Sequence, residues 1–248
     1  MNTVTEHPNF IVIDDFLLPH LHNEIWKYCQ ADDYRVVNRE RWSKVWRLGD
    51  GNPLYGSLVF SNSKVEEHLV RTKGYKQDEY RVCPNGDIVD EFLMQLDSVI
   101  PLVASVIGER GEAWLGSTFK PYIYPKGTGL SWHQDGAYSG AFIYYANPEW
   151  KADWGGELFL ASDSTSEDIR SHHTFTNGRT VALGGHLDSR QEDKVLLSKG
   201  TGTYVMPKPN RLVVLGGGIA HKINHVADAA GQPRVSCSGF FIKKPADS

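Results

Sequence analysis

His133 and Asp135 stand two residues apart, and on a β-strand that spacing sends both side chains to one face. A neutral imidazole beside a carboxylate supplies two of the three protein ligands of a facial metal site. In such a site two histidines and one carboxylate leave three positions of an octahedral Fe(II) open. The third ligand has to come from a neighbouring strand far along the chain. His221 is the leading candidate and His225 its competitor. The isolated triplet is a weak signal, because an HxD in an arbitrary sequence is more often a surface or hydrogen-bonded pair. Its setting gives it weight.

Holding such ligands in place requires a rigid β framework, and the pattern predicts one. After Gly111 the chain turns to short β-rich segments broken by Pro and Gly, with candidate strands at 118–124, 130–133, 140–146, 156–160, 211–215 and 234–242. They suit a double-stranded β-helix, or jelly roll. Ahead of them, residues 10–13 read as a buried strand. Asp14 or Asp15 is placed to cap a helix carrying Leu18, Leu21, Ile25 and Tyr28. Residues 34–63 read as structured loop, with Arg35, Arg39, Arg41, Arg47, Trp42 and Trp46 and a turn at Gly49-Asp50-Gly51-Asn52-Pro53. A helical period runs through Ile88, Phe92, Leu96, Val99, Val103 and Val106 to a stop at Gly108, and Pro101 within it predicts a kink or two helices. The expected class is α+β: one domain over 1–248, with a helical front over about 1–110, a jelly-roll core over about 111–245 and a polar lid insertion over about 161–209.

Composition excludes several partners. A formal net charge of -4 offers no basic field for nucleic acid or an anionic membrane surface. No apolar stretch approaches the roughly 18 residues of a membrane span. The first nine residues lack the basic and apolar regions of a secretory signal. Three cysteines, Cys29, Cys83 and Cys237, are odd in number and form no CxxC pair, which fits a reducing cytoplasm. The expectation is a cytoplasmic protein acting on a small molecule, with neither nucleic acid nor membrane as partner. The sequence sets no oligomeric state.

The run Tyr124-Pro125-Lys126-Gly127-Thr128-Gly129-Leu130-Ser131-Trp132-His133-Gln134-Asp135 is followed by Phe142-Ile143-Tyr144-Tyr145 and Trp154-Gly155-Gly156-Glu157-Leu158. Further on come Asn210-Arg211-Leu212-Val213-Val214-Leu215, His221-Lys222-Ile223-Asn224-His225-Val226 and Arg234-Val235-Ser236. In this order, over roughly 118–242, they resemble the Fe(II)/2-oxoglutarate dioxygenases, in particular their prolyl-hydroxylase-like branch. The resemblance implies a jelly-roll hydroxylase with Fe(II) on His133, Asp135 and His221. It implies 2-oxoglutarate and O2 as cosubstrates, with ascorbate as a supporting addition and succinate and CO2 as products. It also implies that Arg234 pairs with the 5-carboxylate of 2-oxoglutarate, where a guanidinium makes two parallel charge-assisted hydrogen bonds. Tyr124 matches the family tyrosine that donates to the same group, and alternation turns Ser236 and Ser238 to the face of Arg234. The related radical halogenases have a small residue at the position of Asp135, so a carboxylate there argues for oxygenation over chlorination. Desaturation, epoxidation and ring formation stay open.

Ile223 and Val226 fit the family pattern only with His221 as ligand, and residues 227–231 then account for the long spacing to Arg234. Adjacent His172 and His173 cannot both face one metal from a strand and read as lid or surface residues. Trp42 and Trp46 read as packing, the nearby arginines as a solvated face, and Trp132 and Gln134 as turned away from the ligand side. Glu157 reads as structural. The lid length favours a small free substrate, such as an amino acid or biosynthetic intermediate. A peptidyl or protein prolyl hydroxylase is the alternative enzyme. A non-catalytic jelly-roll ligand-binding protein is the alternative of another class, though such a module has no need of Arg234.

Overall fold

The structure is a computed structural model, and it describes residues 4–37, 48–161, 171–174, 176, 180–183, 196–198 and 200–245. Of 171–174 and 180–183 only the backbone course is described. The front of the chain gives β1 (Val4–His7), β2 (Phe10–Ile13), α1 (Pro19–Ala31), β3 (Arg35–Val36), β4 (Leu54–Tyr55), β5 (Leu58–Phe60), α2 (Ser63–Lys73), β6 (Tyr80–Val82), α3 (Ile88–Ser98) and α4 (Ile100–Ile107). The rest is mainly strands: β7 (Trp114–Tyr124), β8 (Leu130–His133), β9 (Gly140–Tyr145), β10 (Leu158–Ala161), β11 (Ser171–Thr174), β12 (Thr180–Leu183), β13 (Gly202–Val205), β14 (Leu212–Gly216), β15 (His221–Ile223) and β16 (Arg234–Lys243).

Two sheets face each other as a double-stranded β-helix. The main sheet runs β1-β2-β14-β9-β16-β7-β4-β3, with β5 and β6 branching from β7, and the smaller sheet runs β13-β10-β15-β8. Alternation along each main-sheet strand sorts its side chains. Phe142 and Tyr144 of β9, Val235 and Cys237 of β16, and Leu212 and Val214 of β14 pack on the helices with Ile25, Phe92 and Val103. Their neighbours Ile143, Tyr145, Val213 and Leu215 turn to the other side and meet Leu130, Leu158, Leu160 and Ile223 of the smaller sheet. The main sheet is therefore buried on both faces, and the space between the two sheets is where a site can be enclosed.

Several expectations shift at this level. The first 110 residues are not helical throughout: they also supply β1 to β6, and β2 pairs with β14 inside the main sheet. Pro101 sits at the start of α4, where its missing N–H costs nothing, so the long helical period is two helices. Asp14 and Asp15 do not cap α1, whose N-cap is Leu18 without a side-chain bond. Asp14 instead accepts from Arg211 Nε at 2.6 Å and Nη2 at 3.0 Å, fastening the end of β2 to the start of β14. The 34–63 segment contains three short strands, and Trp42, Trp46, Arg39, Arg41 and Arg47 lie outside the described residues. Finally, β13 falls within the 161–209 stretch expected to be a lid, yet it pairs with β10 as a full member of the smaller sheet.

Candidate active site

β8 ends on His133, β15 begins on His221, and the strand register sets the two directly opposite each other. Their ring centroids are 4.1 Å apart. Asp135, just past the end of β8, brings its carboxylate to the same place, with Oδ2 3.4 Å from His221 Nε2. One ligand atom from each of the three lies within 4.8 Å of the others. Among the described residues this is the one grouping of His, Cys, Asp and Glu with that geometry.

Both imidazoles are set from behind. His133 Nδ1 bonds the Ser131 carbonyl at 2.8 Å, and His221 Nδ1 bonds the Ile219 carbonyl at 3.0 Å. A carbonyl only accepts, so each Nδ1 carries the proton and each Nε2 keeps the lone pair a metal requires. Burial alone pushes the Asp135 carboxyl up. When the imidazoles are protonated, a hydrogen bond from His221 and the charges of His133 and His221 outweigh that burial and hold the carboxyl below its ordinary range; when they are neutral, the same two Nε2 atoms face a metal instead. Two neutral nitrogens and one carboxylate form a donor set that suits Fe(II).

His225 is turned elsewhere: its Nε2 donates to the Gly49 carbonyl at 3.0 Å on the exposed side. Asp50 escaped the sequence reading, where it was only turn material. It is 1% exposed and accepts from the Ser131 backbone N–H at 2.9 Å and from the Ser131 hydroxyl, fixing the residue whose carbonyl orients His133. Its acidity inside a Gly-rich turn was the available signal. Trp132 and Gln134 point out of the smaller sheet, the first under the Lys222 ammonium and the second donating to the Gly218 carbonyl at 2.9 Å. Glu157 accepts from Asn224 at 2.9 Å, a structural tie. His172 and His173 lie on β11 opposite Ala182 and Val181, and their side chains are outside the description.

Deeper between the sheets, β16 begins with Arg234, paired in register with Tyr124 of β7. Its guanidinium is 0% exposed and lies over two rings, 5.0 Å from the Tyr124 centroid and 4.9 Å from that of Tyr145. Nη1 donates to Ser236 Oγ at 3.0 Å, while Nε and Nη2 have no hydrogen-bond partner. Gly156 makes room for this side chain: a Cβ there would lie 2.7 Å from Arg234 Cδ, and its φ of +75° favours glycine in any case. Tyr145, whose ring faces the guanidinium, was noted in sequence only as part of a tyrosine-rich strand.

Residues 119–242, which are 124 of 248, match the 2OG-Fe(II) oxygenase superfamily. The chain belongs to that superfamily. It is an Fe(II)/2-oxoglutarate-dependent dioxygenase, and Fe(II), 2-oxoglutarate and O2 are what this family uses. No curated protein matches the sequence. The oxygenase is similar in fold to a prolyl-4-hydroxylase from Pseudomonas putida, at 14% identity over 94% of this chain and 92% of that chain, with a TM-score of 0.57. It is also similar to a prolyl hydroxylase from Trichoplax adhaerens in complex with a peptide fragment of the hypoxia inducible factor oxygen degradation domain. That match has 17% identity over 95% and 84% of the two chains, with a TM-score of 0.55. At these identities the likeness is one of fold. Among the described residues no helix of the oxygenase is long and apolar enough to cross a membrane.

Proposed function

We propose that this oxygenase hydroxylates a small free substrate, such as an amino acid or a biosynthetic intermediate. In this reading His133, Asp135 and His221 hold Fe(II), Arg234 holds the 5-carboxylate of 2-oxoglutarate, and Tyr124 and Ser236 assist it. The observation that carries the reading is the half-satisfied guanidinium. A fully buried cation with two unpaired N–H positions is costly unless an anion completes it. A carboxylate accepting from Nε and Nη2 fits that need, and both atoms lie on one edge of the planar group.

Iron and 2-oxoglutarate, when bound, would let O2 act as the oxidant: 2-oxoglutarate would be oxidised to succinate and CO2, with one oxygen atom entering succinate and the other the substrate. The residues of the chain do the placing. Ser131 and Ile219 lock the two imidazoles in one tautomer, Asp135 supplies the single negative ligand, and Ser236 holds one edge of the Arg234 guanidinium so that the other faces the ligand. The apolar walls from Ile143, Leu158 and Ile223 keep water from the enclosed end.

The test is coupled turnover. Purified protein with Fe(II), ascorbate and 2-oxoglutarate should form succinate in the presence of free amino acids or related metabolites, and Asp135→Ala should abolish it. Turnover confined to proline-containing peptides would replace the small-substrate reading with a peptidyl prolyl hydroxylase. Absence of any thermal stabilisation of the Mn(II)-loaded protein by 2-oxoglutarate would favour a non-catalytic binding protein.

A further inference from the structure

We infer that Asp50 is a positioning residue of the metal centre, holding the ring of His133 through Ser131, an inference that rests on the reading of His133 as a ligand just given. The two histidines are supported unequally. His221 begins β15, which lies inside the smaller sheet between β10 and β8. It pairs with Leu160 on one side and with His133 on the other, and the Ala220 carbonyl before it accepts from the Ala161 N–H at 2.9 Å. Strand pairing therefore fixes the backbone of His221 from both flanks.

His133 has no such support. Among the described residues β8 is an edge strand of the smaller sheet, so one of its flanks has no strand beside it. On the other flank the register is broken. His133 pairs with His221 and Leu130 with Ile223, which leaves Ser131 and Trp132 together against Lys222 alone. An extra residue of this kind is a β-bulge, which interrupts the ladder and re-aims the side chains around it. This one includes Ser131, whose carbonyl accepts from His133 Nδ1 at 2.8 Å. The direction of the His133 ring thus depends on a stretch of backbone that strand pairing holds poorly.

Asp50 takes the place of the strand that the edge lacks. Backbone N–H groups two residues apart on a strand point the same way, and those of Gly129 and Ser131 both point at Asp50. The Asp50 carbonyl accepts from Gly129 at 3.0 Å, and Oδ1 accepts from the Ser131 N–H at 2.9 Å and from the Ser131 hydroxyl. One carboxylate oxygen pins two donors of one residue, and the carbonyl of that residue aims His133. The turn carrying Asp50 is itself seated: Gly51, at φ +76°, lies so close to Thr128 that a Cβ would come 2.7 Å from its Cγ2. Burying a carboxylate to 1% exposure is costly, and charge-assisted hydrogen bonds at the bulge offset that cost. Asp50 stands outside the grouping of His133, Asp135 and His221, so it acts through Ser131 and not as a ligand.

The experiment uses the full chain in two measurements. Mn(II) affinity is read by calorimetry. In the metal-free protein with isotope-labelled histidine, NMR reads the tautomer of each imidazole, assigned with His133→Gln and His221→Gln. Asp50→Ala should weaken Mn(II) by about tenfold or more. It should also turn His133 from a single Nδ1–H tautomer into a mixture while His221 keeps its own. Asp50→Asn keeps an acceptor oxygen and loses only the charge, so the loss should be about threefold. His225→Ala loosens the same turn at Gly49 without touching Ser131, and its Mn(II) affinity should stay within about twofold of wild type. An Asp50→Ala protein that binds Mn(II) as wild type does overturns the inference. So does one in which His133 and His221 are disturbed alike, which would mark Asp50 as a general support of the sheet. Should the alanine variant not fold, Asp50→Asn decides, and an unchanged Mn(II) affinity and His133 tautomer overturn the inference. If wild type binds no Mn(II), the ligand reading falls and takes this inference with it; if wild type and Asp50→Ala bind equally, only this inference falls.

Discussion

Replacing Arg234 by methionine separates the two energies held in one side chain. In the ligand-free protein, desolvating the guanidinium costs several kcal/mol. The two ring contacts return up to about 2 kcal/mol each, and the bond to Ser236 about 1 kcal/mol. These nearly cancel, and methionine fills similar space, so ligand-free stability should change by less than about 2 kcal/mol. The bound state is different. Losing two charge-assisted hydrogen bonds to a carboxylate removes about 3 kcal/mol or more, roughly a hundredfold in 2-oxoglutarate affinity. At 100 times the dissociation constant, 2-oxoglutarate stabilises the Mn(II) protein by about 2.7 kcal/mol, or roughly 5–11 °C for a chain of this size. In Arg234→Met the same concentration is near the new dissociation constant, and the shift should fall to about 1–2 °C. Mn(II) affinity should hold. An undiminished shift, or a collapse of the ligand-free melting temperature, would refute the assignment of the two empty N–H positions to an anion.

Three further outcomes follow from the geometry. His221→Ala should lose Mn(II) binding measured by calorimetry, whereas His225→Ala, which removes only a bond to the Gly49 carbonyl, should retain it. Gly156→Ala forces a Cβ into contact with Arg234 Cδ at a backbone angle that disfavours alanine, and should destabilise the protein by about 1–3 kcal/mol while weakening 2-oxoglutarate in isothermal titration. Asp14→Asn should cost about 1–3 kcal/mol in urea unfolding at neutral pH. Burial raises the Asp14 carboxyl, but Arg211 and Lys208 outweigh it and hold it below the ordinary range. The contribution is therefore fully present above the unfolded value near 3.9 and is lost as pH falls through the lower folded value, so the gap between wild type and variant should close at acid pH below that folded value.

The parts of the molecule that were legible in sequence share a reason. β8, β9 and β16 are bounded by glycine, proline or charged turns, and alternation within them distinguishes a core face from a site face, so His133, Asp135 and Arg234 stand out by position as well as by type. Strands without that signal were hidden. In β13 only Val205 is buried while Gly202, Thr203 and Tyr204 are exposed, so nothing in its pattern separates it from the polar segment around it. β15 is three residues long, too short for any period. Asp50 and Asp14 were misread for a different reason: their partners, Ser131 and Arg211, are 81 and 197 residues away, and a long-range hydrogen bond leaves no local trace. Two helix caps show the contrast, since Asn62 and Asp87 accept from residues two or three positions on.

The direct opposition of His133 and His221 across β8 and β15 means that the proposed ligand set depends on strand alignment. Side chains alternate with a period of two, so a slip of one residue between these strands would swing His221 to the outside and present Ala220 or Lys222 in its place. A chain misaligned at this seam still buries much of its apolar surface but has only two of three ligands. With the metal held as proposed, binding would favour the correctly threaded strand over the slipped one by mass action.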